Sequence, residues 1–236
     1  MTALAMMGAA ISLVSTGEPR LAAAQADAQD RVAALKQSLQ DGQARLRQYE
    51  WIETTVISLK GEEKARKQNR CYYGADGTVQ KIAIGEPPPA QSSGGGRGRL
   101  KQRIVEKKKD EMQDYMERAA NLMQLYVPPS PAQIQAAKDA GKIAIRPQPG
   151  GRVRIEISHY LQANDALNID VDGAASRLLG LSVSTYLDTP EDPVTLAVQM
   201  GNLPDGATFA AQTALEAKAK NIRVVTQNTG HRRVAR

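Results

Sequence analysis

Cys71 is the one cysteine of the chain, and His159 and His231 are its two histidines. These are the side chains best suited to nucleophilic or general-base work, but their spacing supplies neither. A thiol nucleophile needs a positioned base, and no motif joins either histidine to Cys71. On an alternating strand Cys71 shares a face with Ala65 and Tyr73, so it reads as a small buried hydrophobe. His159 falls at a strand end and His231 in a basic tail. Asn168, Asp170, Asp172 and Gly173 occupy positions 1, 3, 5 and 6 of a calcium loop, yet the twelfth position is Leu179, where a bidentate Glu belongs. An Asp-Gly hairpin turn explains the same letters. Gly-x-Ser-x-Gly and His-Glu-x-x-His are absent, and the glycines of 86–98 lack the Gly-Lys-Ser/Thr ending of a phosphate loop. The residues therefore point to a protein without catalysis, cofactor or metal.

Binding chemistry is better represented. Met112, Met116 and Met123 recur on one stripe, and methionine makes soft, adaptable walls for acyl chains. Trp51, Ile57, Leu59, Val183 and Leu196 lie on strands that would face those methionines, which makes the eight the expected lining of an apolar site. A second surface is cationic. Lys64, Arg66, Gln68 and Arg70 share the strand face opposite Ala65, Cys71 and Tyr73. That row is a solvated outer face or a protected edge, with docking of an anionic partner as the alternative.

The elements that position these residues change period along the chain. Residues 27–48 form an amphipathic helix with Val32, Leu35, Leu39 and Leu46 near one stripe, weakened by about 1 kcal/mol at Gly42. Strands follow over Glu50–Leu59, residues 63–73 and Thr78–Ile84, turning at Lys60-Gly61-Glu62 and Ala75-Asp76-Gly77. Residues 86–98 (EPPPAQSSGGGRG) read as a flexible linker. The longest helix spans Leu100–Tyr126, with Leu100, Ile104, Met112, Met116, Ala119, Met123 and Tyr126 on its apolar stripe; a short helix opens at Ser130-Pro131 and ends at Gly141. Beyond Arg152 six alternating runs with short turns predict an antiparallel meander, bringing the strands to nine. Its apolar face needs a cover, and the methionine-bearing helix supplies one. The fold class is α+β, a curved antiparallel sheet forming an unclosed half-barrel under an amphipathic helix.

Ala3 to Val14 is an uncharged apolar run, shorter than the roughly 20 residues of a spanning helix. Leu21 to Ala26 then offers a small-x-small cleavage pattern, so residues 1–26 read as a signal peptide and 27–236 as one exported, periplasmic domain. The formal charge of +6 survives removal of that segment, because Glu18 and Arg20 cancel. A basic exported protein meets anionic envelope components rather than nucleic acid, and touches a membrane peripherally at most.

The order of signal peptide, amphipathic helix, three strands, helical insertion and antiparallel meander resembles the periplasmic lipoprotein-carrier (LolA/LolB-like) superfamily. The segments LKGEEK, YYGADG, RIVEKKKDEMQDYMER and TYLDTPEDPVTL look like an uncharacterised group of exported bacterial proteins. The resemblance implies an unclosed barrel plugged by helices and a periplasmic binder of a lipid or lipoprotein acyl chain. It also implies the alternative of an envelope interaction or regulatory module, as in anti-sigma regulators of this fold, docking through the charged hairpin 60–81. No working residue of the carriers is carried over onto this sequence.

Overall fold

β-branched and aromatic residues dominate Tyr49–Leu59 (YEWIETTVISL), and this stretch is the first strand, β1, of a single antiparallel sheet. The computed structural model describes residues 37–85, 99–175 and 177–234. The expected signal peptide and the linker 86–98 lie outside them. Residues 37–46 are helical (α1) and lead directly into β1. Then come β2 (Glu62–Tyr73), β3 (Val79–Ile84), α2 (Arg99–Gln124), α3 (Pro131–Asp139), β4 (Ile143–Gln148), β5 (Arg152–Ser158), β6 (Ala166–Asp172), β7 (Arg177–Tyr186), β8 (Pro193–Asn202), β9 (Thr208–Ala217) and β10 (Ile222–Arg233). The strand order is β3-β2-β1-β10-β9-β8-β7-β6-β5-β4. The first hairpin turns on Lys60 and Gly61 alone, both at positive φ (54° and 81°), the backbone a two-residue turn requires.

β3 and β4 are the two edges of the sheet, so the chain between them must travel from one edge to the other. α2 belongs to that connection and covers the concave face on the way. Its buried stripe is Tyr115, Ala119 and Met123, continued by Tyr126 just past its end, with Met112, Met116 and Leu122 partly buried beside them. The side chains of Leu100 and Ile104, expected on the same stripe, lie outside the description. Leu59 on β1 and Ile143 on β4 pack against the same core cluster although they stand seven strands apart in the order. The cluster runs across the sheet from β1 to β4, and the sheet curves over α2. It is not closed.

Two departures from the expected elements have physical causes. β4 makes the tenth strand where nine were expected. It contains Pro147 and exposes Ile145 at 69%, features that an edge strand tolerates and that hide it from pattern reading. β10 runs to Arg233 rather than ending near Thr226, because its second half pairs with the start of β1 (Ile52↔Thr229, Glu50↔Arg232). An extra residue on β10 at that bulge is accommodated by Gly230 at φ 64°. His231 is therefore in a strand and not in a tail.

Candidate apolar groove

On α1, Leu39, Gln43, Leu46 and Arg47 recur at four, three and one residues and turn one face toward the sheet. α1 approaches closely because of Gly42. A Cβ there would lie 2.8 Å from Thr208 Oγ1, so the glycine that weakens the helix also lets it dock at the start of β9. Leu46 and Tyr49 bury themselves with Ala207 in a small cluster joined by Tyr73, Leu203 and Phe209. A polar clamp fixes the same end. Asp205 accepts hydrogen bonds from Tyr49 Oη (2.8 Å), Arg233 (2.8 Å) and the Ala207 amide (3.1 Å), while Arg45 donates to the Asp205 carbonyl. The Arg233 guanidinium, with the other two donors, holds the Asp205 carboxyl down at about 2.

The opposite wall is the segment Val127–Pro129 that leaves α2, and a buried polar knot sets its position. Tyr126 Oη donates to Asp165 Oδ2 (2.6 Å) and lies 2.8 Å from Thr185 Oγ1. Asp165, 3% exposed, also accepts from the backbone amides of Tyr160 (2.5 Å), Leu161 (2.9 Å) and Gln162 (2.9 Å). A buried carboxylate is tolerable only when its oxygens are satisfied in this way. Burial, reinforced by the hydrogen bond to Asp165, pushes the Tyr126 phenol far above its ordinary value. Tyr160 Oη in turn accepts from the Ser130 amide at 2.7 Å, tying down the start of α3.

Between α1, Val127–Pro129 and the sheet lies a groove of about 500 Å³. Its floor is Leu178, Leu181, Val198, Met200 and Ala210; Leu39, Leu46, Tyr73 and Phe209 line its sides, and Gln43, Arg47 and Thr208 complete it with the proline wall. Behind Tyr73 and Phe209 stands an aromatic cluster. Trp51 packs on Tyr73 (centroids 5.6 Å) and stacks on His231 (5.9 Å, 14°), and His231 meets Phe209 at 3.9 Å. Burial lowers the His231 pKa, favouring the neutral imidazole. Trp51 Nε1 donates to Asn228 Oδ1 (3.1 Å), and Asn228 donates to the Ala210 carbonyl (2.8 Å), so the cluster is pinned to the groove floor.

Six of the eight expected lining residues, Leu59, Met112, Met116, Met123, Val183 and Leu196, come together in the core beneath α2. Trp51 is separate, in the aromatic cluster, and Ile57 pairs with Val224 and Ala65 on the sheet. None of the eight lines the 500 Å³ groove. Lys64, Arg66 and Arg70 lie on β2 as expected, but with partners of their own. Lys64 meets Glu62 (2.5 Å), Arg66 grips Glu63 (2.9 and 2.8 Å), and Arg70 approaches Glu50 (3.8 Å). Cys71 is fully buried, and burial raises its pKa, which leaves the thiol protonated. Asp170 is held by Arg154 (2.7 and 2.9 Å), and Asp172 caps the turn amides of Ala174 and Ala175. Among the described residues no group of three His, Cys, Asp or Glu side chains is placed to hold a metal.

The groove residues were only partly visible in the sequence. Leu39 and Leu46 carry the helical period, but alternation on β7 selects Leu179, whereas Leu179 is the extra residue of a bulge on β7 that brings Leu178 opposite Val171. Phe209, the only phenylalanine, was the available signal at the start of β9.

A scan against protein-family models gives no match, nor does a search of curated proteins. Among solved structures, a crystal structure of a LolA superfamily protein from Nitrosomonas europaea is similar at 6% identity and a TM-score of 0.34, covering 84% of this chain and 94% of that one. The likeness is loose, and the groove is defined by this chain's own residues.

Proposed function

We propose that the protein is an exported, non-catalytic binder of an apolar chain, held in the groove between α1 and the sheet. The observation that carries this reading is the groove's composition. Its lining is largely aliphatic and aromatic, with no carboxylate, histidine or cysteine among the described residues. A volume of about 500 Å³ falls within the usual range for small-molecule sites. Each methylene taken from water contributes about 0.8 kcal/mol, so affinity rises with the length of chain the groove encloses. Leu181, Val198 and Met200 serve both the groove floor and the core. A longer chain continues past them into the seam under α2, where Met112, Met116 and Met123 adapt to it and Val183 and Leu196 form the sheet side. Export is supported by the apolar run Ala3 to Val14 and the cleavage pattern ending at Ala26, both outside the described residues.

The test uses the single tryptophan as reporter, because Trp51 touches Tyr73 at the groove wall. Titration with 1-dodecanol is expected to change Trp51 emission saturably. Ala210→Phe, which fills the floor, is expected to weaken binding by about tenfold or more, as the loss of two methylene contacts would. An unchanged emission, or equal affinity in the filled variant, would sink the proposal. N-terminal sequencing of the cellular protein tests export, with a start near Gln25 to Ala28 expected and Met1 or Thr2 contradicting it.

A further inference from the structure

Resting on the groove as an apolar-chain site, we propose that its ligand is a single-chain amphiphile with an anionic head, and that Arg47 receives that head at the mouth. Among the described residues the groove carries one charged side chain, Arg47, and no acid. Charge complementarity therefore selects an anion over a cation, and a neutral head gains less from the guanidinium than an anion does. Arg47 is exposed at the C-terminal end of α1, one turn beyond Gln43 and next to the buried Leu46, so it stands where apolar lining gives way to water.

The neighbouring charges are already committed. Arg45 donates to the Asp205 carbonyl, and Arg233 pairs with Asp205. The Arg47 guanidinium lies against the β2–β3 turn, 3.9 Å from where a Cβ on Gly77 would be. The acid of that turn, Asp76, spends its carboxylate on the Thr78 amide (3.0 Å) and hydroxyl (2.7 Å). Among the described residues Arg47 has no ion-pair partner. Its charge does reach the Tyr73 phenol, drawing its pKa down against the larger upward push of burial. Arg47, Tyr73 and Gln43 thus offer donors around one opening, and the planar fork of arginine matches a carboxylate or phosphate bidentately.

Calorimetric titration of the full chain with dodecanoate, dodecyl phosphate and 1-dodecanol separates head from chain. Dodecanoate is expected to bind about tenfold tighter than 1-dodecanol, the gain from a charge-assisted pair at the edge of an apolar site. Arg47→Gln is expected to erase that preference, bringing dodecanoate to the affinity of 1-dodecanol, while Arg47→Lys keeps part of it. Dodecyl phosphate binding more tightly than dodecanoate would assign the head to a phosphate lipid, and weaker binding would assign it to a fatty acid; either supports the anionic head. Equal binding of dodecanoate and 1-dodecanol by the unmodified protein, or a preference that survives Arg47→Gln, would overturn the inference with the groove reading intact. Failure of all three ligands to bind would overturn both.

Discussion

Asp165 and Asp205 illustrate how single carboxylates hold the groove walls at a distance from the groove itself. Asp165 accepts four hydrogen bonds inside the protein, so Asp165→Ala strands three backbone amides and leaves the Tyr126 hydroxyl with Thr185 alone. The expected loss is about 3 kcal/mol or more, against about 1 kcal/mol for Tyr126→Phe, read from urea unfolding. Asp205 behaves differently because it is only partly buried and titrates. Its folded pKa is depressed from 3.8 to about 2. Its contribution is therefore fully present above pH 3.8 and is lost as pH falls through about 2. Unfolding of the unmodified protein and of Asp205→Asn, compared at neutral and strongly acidic pH, is expected to show a stability gap that closes across that window. A gap that stayed constant would mean the clamp is not ionic. Neither role was legible in sequence, where both acids look like turn residues. Their side-chain partners lie far along the chain: Asp165 is 39 residues from Tyr126, and Asp205 is 28 from Arg233.

At the scale of elements, the strands and α2 were readable because hydrophobic period is a local property, while β4 and the second half of β10 depend on edge position and a distant partner. The place of α1 on the sheet was likewise hidden, since Gly42 reads as a weak helix position until Thr208 is brought against it. Gly180 shows the same dependence between strands. A Cβ there would lie 2.5 Å from the Val198 carbonyl oxygen, a backbone atom that cannot move aside. Gly180→Ala is expected to destabilise by about 2 kcal/mol or more in thermal or urea unfolding. The charged hairpin makes the opposite prediction. Its cations answer acids on the same or adjacent strand, and each cation is exposed. Arg66→Gln with Arg70→Gln should change stability by no more than about 1 kcal/mol and leave groove binding untouched. Loss of groove binding in that double variant would tie the ribbon to the site.

For the whole molecule, the sequence specifies an open curled sheet and a helix that covers its concave face, but not how completely the cover fits. Residues from β1 to β4 close on α2 as one core, and the space left over lies beside α1, floored by β7, β8 and β9. The expected lining under α2 and the observed groove meet at Leu181, Val198 and Met200, so the central claim concerns where a bound chain lies. Photo-crosslinking with a diazirine-bearing long-chain alcohol, followed by mass spectrometric mapping of the labelled residues, locates it directly. Labels on Leu178, Leu181, Met200, Phe209 and Ala210, competed away by 1-dodecanol, are the predicted result. Labels confined to the outer face of the sheet, or labelling that 1-dodecanol does not reduce, would contradict it.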